Sequence, residues 1–99
     1  MEIQQEGIAG TMESSDIMVT VKKGDGHDIQ IDLDSTVQEE FGHQICKVIK
    51  DTIKGFGIDS AAVHAVDKGA LDCTIRARVK TAVHRACNDE NYKWGEENR

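Results

Sequence analysis

Apolar and polar residues alternate in three places along the first third of the chain: around Ile8, Gly10 and Met12, then Ile17, Val19 and Val21, then Ile29, Ile31 and Leu33. A spacing of two puts side chains on one face of an extended strand. The pattern therefore predicts strands over about Gly7 to Met12 and Asp16 to Lys22, and a third through Ile29 to Leu33. In the third run Asp28, Gln30, Asp32 and Asp34 fill the alternate positions, as in a sheet with one buried and one wet face. Lys23-Gly24-Asp25-Gly26 predicts a tight hairpin between the second and third strands, because glycine accepts the positive φ such turns require. No Gly-Lys-Ser/Thr follows these glycines, so they do not read as a phosphate-cradling loop.

The period then changes from two to three and four. Val37, Phe41, Ile45, Val48, Ile49 and Ile53 form one apolar stripe, which predicts a helix with that stripe in the core. Ser35 is placed to start it, with Gln38 three residues on as in a capping box, and Gly55 and Gly57 supply the stop. Ala61 to Val66 is an apolar run of strand length with His64 on one face. A second helix is expected from Lys68 or Gly69, burying Leu71, Ile75, Val79, Val83 and Ala86. Asp72 and Arg76 could pair four residues apart on it, and Arg76, Arg78, Lys80 and Arg85 would form a basic exposed face. The prediction is an α+β two-layer sandwich, strand-strand-strand-helix-strand-helix. Its sheet is mostly antiparallel, of about four strands, with both helices on one face. Residues 1–87 form the domain. Residues 88–99, charged and without aliphatics, are expected to be a flexible polar tail, in which Tyr92 and Trp94 are candidate docking anchors.

Composition narrows the function classes. Ninety-nine residues suffice for a modest core but not for a core plus an enclosed catalytic cleft. A net charge of -6 argues against nucleic acid, which calls for clustered Lys and Arg. The sequence contains no apolar run of membrane-spanning length and no basic-then-apolar signal layout, which makes a cytoplasmic protein the simplest expectation. Cys46, Cys73 and Cys87 are odd in number with no C-x-x-C spacing, fitting reduced thiols. His27, His43, His64 and His84 are scattered, and His84 with Cys87 gives only two of the ligands a zinc site needs, so no metal is assigned.

The chemistry that remains sits in Thr11-Met12-Glu13-Ser14-Ser15-Asp16-Ile17-Met18. A polar turn between two strands pushes its central side chains into solvent, so Ser14 or Ser15 would present a free hydroxyl between the carboxylates of Glu13 and Asp16. Those carboxylates would serve as recognition charges for another enzyme; an alcohol nucleophile needs a base beside it. No Ser-His-Asp grouping, carboxylate pair or nucleotide fingerprint accompanies the serines. A small domain with one exposed serine and no catalytic set is suited to carrying a group, not to transforming it.

Gly10-Thr11-Met12-Glu13-Ser14-Ser15-Asp16 resembles the N-terminal signature of the acyl carrier proteins of citrate lyase, its gamma chains. Asp67-Lys68-Gly69-Ala70-Leu71-Asp72-Cys73, followed by Ile75-Arg76-Ala77-Arg78, resembles that family's second block, and Ser35 to Gly42 its long middle helix. The likeness runs from about Ile3 to Ala86. It implies a non-catalytic carrier whose serine, matching Ser14, is joined by a phosphodiester to a phosphoribosyl dephospho-coenzyme A group ending in a thiol. It further implies that the alpha subunit exchanges acetyl for citryl on that thiol, releasing acetate. The beta subunit then cleaves the citryl thioester to oxaloacetate. A dedicated transferase attaches the arm. The carrier of malonate decarboxylase, which uses the same group, is the nearest alternative, and an unmodified interaction subunit is the alternative from another class. The Gly-Ala-Leu-Asp-Cys block favours citrate lyase.

Overall fold

The computed structural model describes residues 2–26 and 28–88. Its elements run β1 (Gly7–Gly10), β2 (Ile17–Lys23), β3 (Ile29–Ser35), α1 (Gln38–Lys54), β4 (Ala61–Asp67) and α2 (Asp72–Ala86). This is the expected α+β order, with one four-stranded sheet and two helices. The proposed tail of residues 88–99, with Tyr92 and Trp94, lies outside the described residues apart from Asn88.

The sheet order is β1-β2-β4-β3, with β1–β2 and β2–β4 antiparallel and β3–β4 parallel. The sheet is thus mixed, and the hairpin expected between β2 and β3 does not form, because β4 lies between them. Lys23 and Ile29 both stand opposite Ala61, so residues 24–28 bridge two strand spacings, roughly 10 Å. The chain does reverse after Gly24 to Gly26, but across β4 instead of in a tight hairpin. Two physical features favour the observed order. β3 runs through α1 into β4, and a crossover helix joins parallel neighbours. Ala61, Val63 and Ala65 give β4 a fully apolar inner face, suited to the middle of the sheet, whereas β3 carries acids suited to an edge.

The inner face of the sheet presents Ala9, Ile17, Val19, Val21, Ile29, Val63 and Ala65. Ile45, Ile49 and Ile53 of α1 and Ile75, Val79, Ala82, Val83 and Ala86 of α2 close over it. Fully buried side chains such as Ile49 and Ile75 each contribute roughly 1.5–3 kcal/mol. α2 packs on β1 and β2, and α1 on β3. Gly7 lets α2 approach: a Cβ there would stand 2.1 Å from the Ala82 carbonyl oxygen and 2.4 Å from the Ala86 nitrogen. The lead-in is fastened at the same place, since Gln4 and Gln5 both donate backbone N–H groups to the Ala86 carbonyl.

Several positions depart from the sequence reading. Phe41 is 47% exposed and stands outside the core; the expected stripe of α1 is buried only from Ile45 on, through Ile49 and Ile53. Leu71 is 71% exposed, because α2 begins at Asp72 and Leu71 belongs to the preceding loop. Ser35 ends β3 and does not start α1. The exchange expected of a capping box survives in part: Gln38 Oε1 accepts the Ser35 N–H and Ser35 Oγ accepts the Val37 N–H. Asp72 does not pair with Arg76. It accepts two hydrogen bonds from Gln44 Nε2, at 3.0 and 3.2 Å, and so ties the helices together.

Candidate functional site

Register brings three connections to one end of the sheet. Ile17 stands opposite Asp67, and Asp67 opposite Ser35. The β1–β2 turn, the entry to α1 and the β4–α2 loop therefore adjoin. Gly10 leaves β1 with φ +98, and a Cβ there would fall 1.8 Å from the Ile17 carbonyl oxygen; only glycine allows this narrow start. Glu13 to Asp16 then closes a β-turn, with the Asp16 N–H donating to the Glu13 carbonyl at 3.1 Å. Ser14 and Ser15 are its central residues and both are exposed.

The two serines are not equivalent. Ser15 adopts φ 66 and its N–H donates to the Lys68 carbonyl at 2.8 Å. Lys68 in turn donates its N–H to the Asp16 carbonyl at 2.9 Å. The chain around Ser15 is held from both sides by the backbone of one residue. Ser14, one position earlier, forms no hydrogen bond with any other described residue and stands at the free apex of the turn.

Asp16, expected to be an exposed recognition charge, is buried and fully engaged. Its Oδ1 accepts from Arg78 Nε at 2.9 Å and from the Ile17 N–H at 2.7 Å. Its Oδ2 accepts from Arg78 Nη2 at 2.9 Å and from the Thr11 hydroxyl at 2.7 Å. Thr11 Oγ1 also accepts the Glu13 N–H. Arg78 is therefore not part of a free basic face, and Arg85 likewise reaches the Ile8 carbonyl through Nη1. Of the four basic residues expected to solvate that face, Arg76, Lys80 and Arg85 are exposed and Arg78 is half-buried. Of the charges flanking the serines, only Glu13 remains open to solvent.

The Arg78 hydrogen bonds hold the Asp16 carboxyl down at about 2, against the opposing effect of burial. Its unfolded value is near 3.9, so the folded state gains stability that is complete above that pH. The gain is lost as pH falls from about 4 toward 2. One shift of this size corresponds to roughly 2 kcal/mol. Asp16→Asn is expected to be less stable than the parent by about that amount at neutral pH, with the gap closing by about pH 2. Urea unfolding of both proteins across this range reads the difference directly, and a gap that stays constant with pH would contradict the assignment.

The second block found in the sequence explains the other wall. Asp67 is 1% exposed. Its Oδ2 accepts from Ser35 Oγ at 2.8 Å and the Gly69 N–H at 3.1 Å, and its Oδ1 accepts the Ala70 N–H at 3.0 Å. Its carbonyl accepts the Thr36 N–H. Asp67 thus folds the Lys68–Leu71 loop that braces the serine turn, a role its sequence position did not disclose. Beyond that loop Val37, Phe41, Ile45, Ala70 and Leu71 line an apolar cleft of about 390 Å³. Of the large apolar side chains that are exposed, Met12, Phe41 and Leu71 all stand at or beside this end of the sheet.

Comparison with known proteins agrees with the sequence reading. A family profile described as "ACP: Malonate decarboxylase delta subunit (MdcD)" matches residues 4–86. The citrate lyase acyl carrier protein of Streptococcus mutans is 56% identical over 96 residues, covering 97% of this chain and 94% of that one. The chain belongs to the citrate lyase acyl carrier protein family. Its counterparts in Streptococcus uberis and Streptococcus equi subsp. zooepidemicus are 53% and 52% identical, with the same coverage of both chains. In a crystal structure of a Pseudomonas malonate decarboxylase hetero-tetramer in complex with malonate, one chain superimposes with a TM-score of 0.62. That match covers 85% of this chain and 90% of the other at 17% identity, a likeness of fold.

Proposed function

We propose that this chain is the covalent acyl carrier of a citrate lyase, with Ser14 as the attachment residue for a phosphoribosyl dephospho-coenzyme A arm. The observation that carries this reading is the isolation of Ser14: exposed and without hydrogen bonds to the other described residues, on a turn whose two stems are fixed. Such a hydroxyl can take a bulky phosphodiester without disturbing a contact, so the residues present fit the group. When bound, the group supplies a thiol that holds acetyl and citryl as activated thioesters. The protein's share is to fix the root of the arm and to be recognised. Tethering replaces free encounters by intramolecular ones at high effective concentration.

The chain supplies no catalytic set of its own. Its partners are the alpha and beta subunits, which perform acyl exchange and citryl cleavage, and the transferase that installs the arm. Met12, Phe41 and Leu71 support docking at the serine end, since apolar side chains exposed together mark contact surfaces. None of the helices in the described residues is long and apolar enough to cross a membrane. Among the described residues no disulfide joins Cys46, Cys73 or Cys87, which fits work in the reducing cytoplasm.

The profile's description favours a second reading, the carrier of a malonate decarboxylase. Identity of 52–56% to citrate lyase carriers over almost the whole chain favours the first. Intact-mass analysis of the protein from citrate-fermenting cells tests the carrier role. A prosthetic-group increment mapping to the peptide with Ser14 is expected, and only bare chain in cells with active citrate lyase would refute it. Co-purification with citrate-cleaving or with malonate-decarboxylating subunits separates the two carriers.

A further inference from the structure

The bonds around Asp16 are more elaborate than a surface turn needs. The core is complete without them: α2 is already seated by Ile75, Val79, Ala82, Val83 and Ala86. Yet Arg78 grips both oxygens of one carboxylate, each at 2.9 Å, in the two-pronged geometry that fixes direction as well as distance. Through Oδ2 that carboxylate holds Thr11, and Thr11 Oγ1 holds the Glu13 N–H. The result is a chain of contacts from α2 through Asp16 to the residues on both sides of Ser14. Lys68 adds a backbone brace at Ser15 and Asp16. Every residue from Glu13 to Asp16 except Ser14 is tied, and the guanidinium is the one tie that comes from α2.

We propose that Arg78 is a positioning residue for arm attachment, acting through Asp16 and Thr11 to hold the backbone that presents Ser14 in one place for the modifying enzyme. The proposal rests on the reading of Ser14 as the attachment residue. In that step the Ser14 Oγ–phosphorus bond forms and a phosphoanhydride bond of the arm donor breaks. The departing phosphate takes the bond's electron pair, and the hydroxyl proton passes to a base in the transferase. Two hydroxyls of equal intrinsic reactivity stand side by side, so selection between them is geometric. Misplacement of a reacting atom by about 1 Å can cost about a hundredfold in rate. A turn of short polar residues has no packing to supply that definition. The clamp does.

The test uses the full 99-residue chain, its transferase and the coenzyme A-derived arm donor. Arm uptake is followed by intact mass and the site by peptide mapping, for the parent, Arg78→Met and Arg78→Lys. Arg78→Met is expected to stay folded, to lose about tenfold or more in kcat for attachment with little change in KM, and to place a larger share of the arm on Ser15. Arg78→Lys, which keeps the charge but not the two-pronged grip, should recover only part of the rate. Parental kcat together with parental site choice in Arg78→Met would overturn the proposal. A rise in KM alone would also overturn it, since that would make Arg78 a docking charge. If Arg78→Met fails to fold, Thr11→Val carries the same prediction from an exposed position. Should the arm map elsewhere than Ser14 in the parent itself, the reading of Ser14 fails, and that outcome is separate from any result on Arg78.

Discussion

Ser14→Ala will fold as the parent does and accept no arm. Ser14 is exposed and bonds to nothing else described, so its truncation should move stability by no more than about 0.5 kcal/mol. The loss of carrier function should nevertheless be complete, because an alanine offers no oxygen for the phosphodiester. The informative control is Ser15→Gly. Ser15 holds φ 66, a left-handed conformation that costs a residue with a Cβ roughly 1 kcal/mol. Glycine there keeps the backbone N–H that bonds Lys68 and removes the neighbouring hydroxyl. Ser15→Gly should therefore be at least as stable as the parent and still take up the arm. Incubation with the transferase and the coenzyme A-derived donor, followed by intact mass, decides between them. Uptake by Ser14→Ala but not by Ser15→Gly would move the site one residue; uptake by both at a residue that peptide mapping places outside the turn would remove this turn from the function.

The sequence disclosed the elements because their signals are local. Alternation in the first three strands and the stripe of α1 follow from side-chain periodicity, and the ends observed differ from those expected by a few residues. Strand order was not local. The Gly24 to Gly26 turn says that the chain reverses, but nothing in it says that β4 will enter the gap. That outcome depends on the apolar inner face of Ala61, Val63 and Ala65 and on the crossover through α1. Gly7 was illegible for the same reason: its need to be glycine comes from the backbone of α2, some seventy-five to eighty residues on.

The site divides in the same way. The exposed serine pair could be read from the turn. What surrounds the pair could not. Asp16 and Arg78 are sixty-two residues apart, and each alone resembles an ordinary surface charge. A helical wheel places Arg78 at the margin of the buried face, where a long side chain can go to solvent or fold over a neighbouring loop. Only the arrival of the β1–β2 turn beside α2 decides which. Phe41 and Leu71 failed for the complementary reason, since apolar periodicity assigns residues to a core even when they border a cleft open to solvent.

Asp67→Asn should be the most damaging single-atom exchange at this end of the molecule. The aspartate is buried to 1% exposure and takes three donors on its side chain: the Ser35 hydroxyl and the N–H groups of Gly69 and Ala70. Each is a hydrogen bond to a charged acceptor, of the stronger kind. Asparagine has nearly the same shape, but one of its two terminal atoms is an NH₂ donor. If that group faces Ala70, two donors meet; if it faces Gly69 and Ser35, the amide of Gly69 is opposed and the hydroxyl must turn. Either orientation sets a donor against a part-buried N–H that loses its acceptor, which typically costs about 1–3 kcal/mol, and a loss toward the upper end of that range is expected here. The damage should spread to the serine turn, because Lys68, which braces Ser15 and Asp16, directly follows Asp67. Denaturant unfolding should show the stability loss. Hydrogen exchange should show the amides of Ser15 and Lys68 opening along with those of Gly69 and Ala70. An asparagine variant of parental stability, with those four amides still protected, would mean that the loop keeps its shape without the carboxylate.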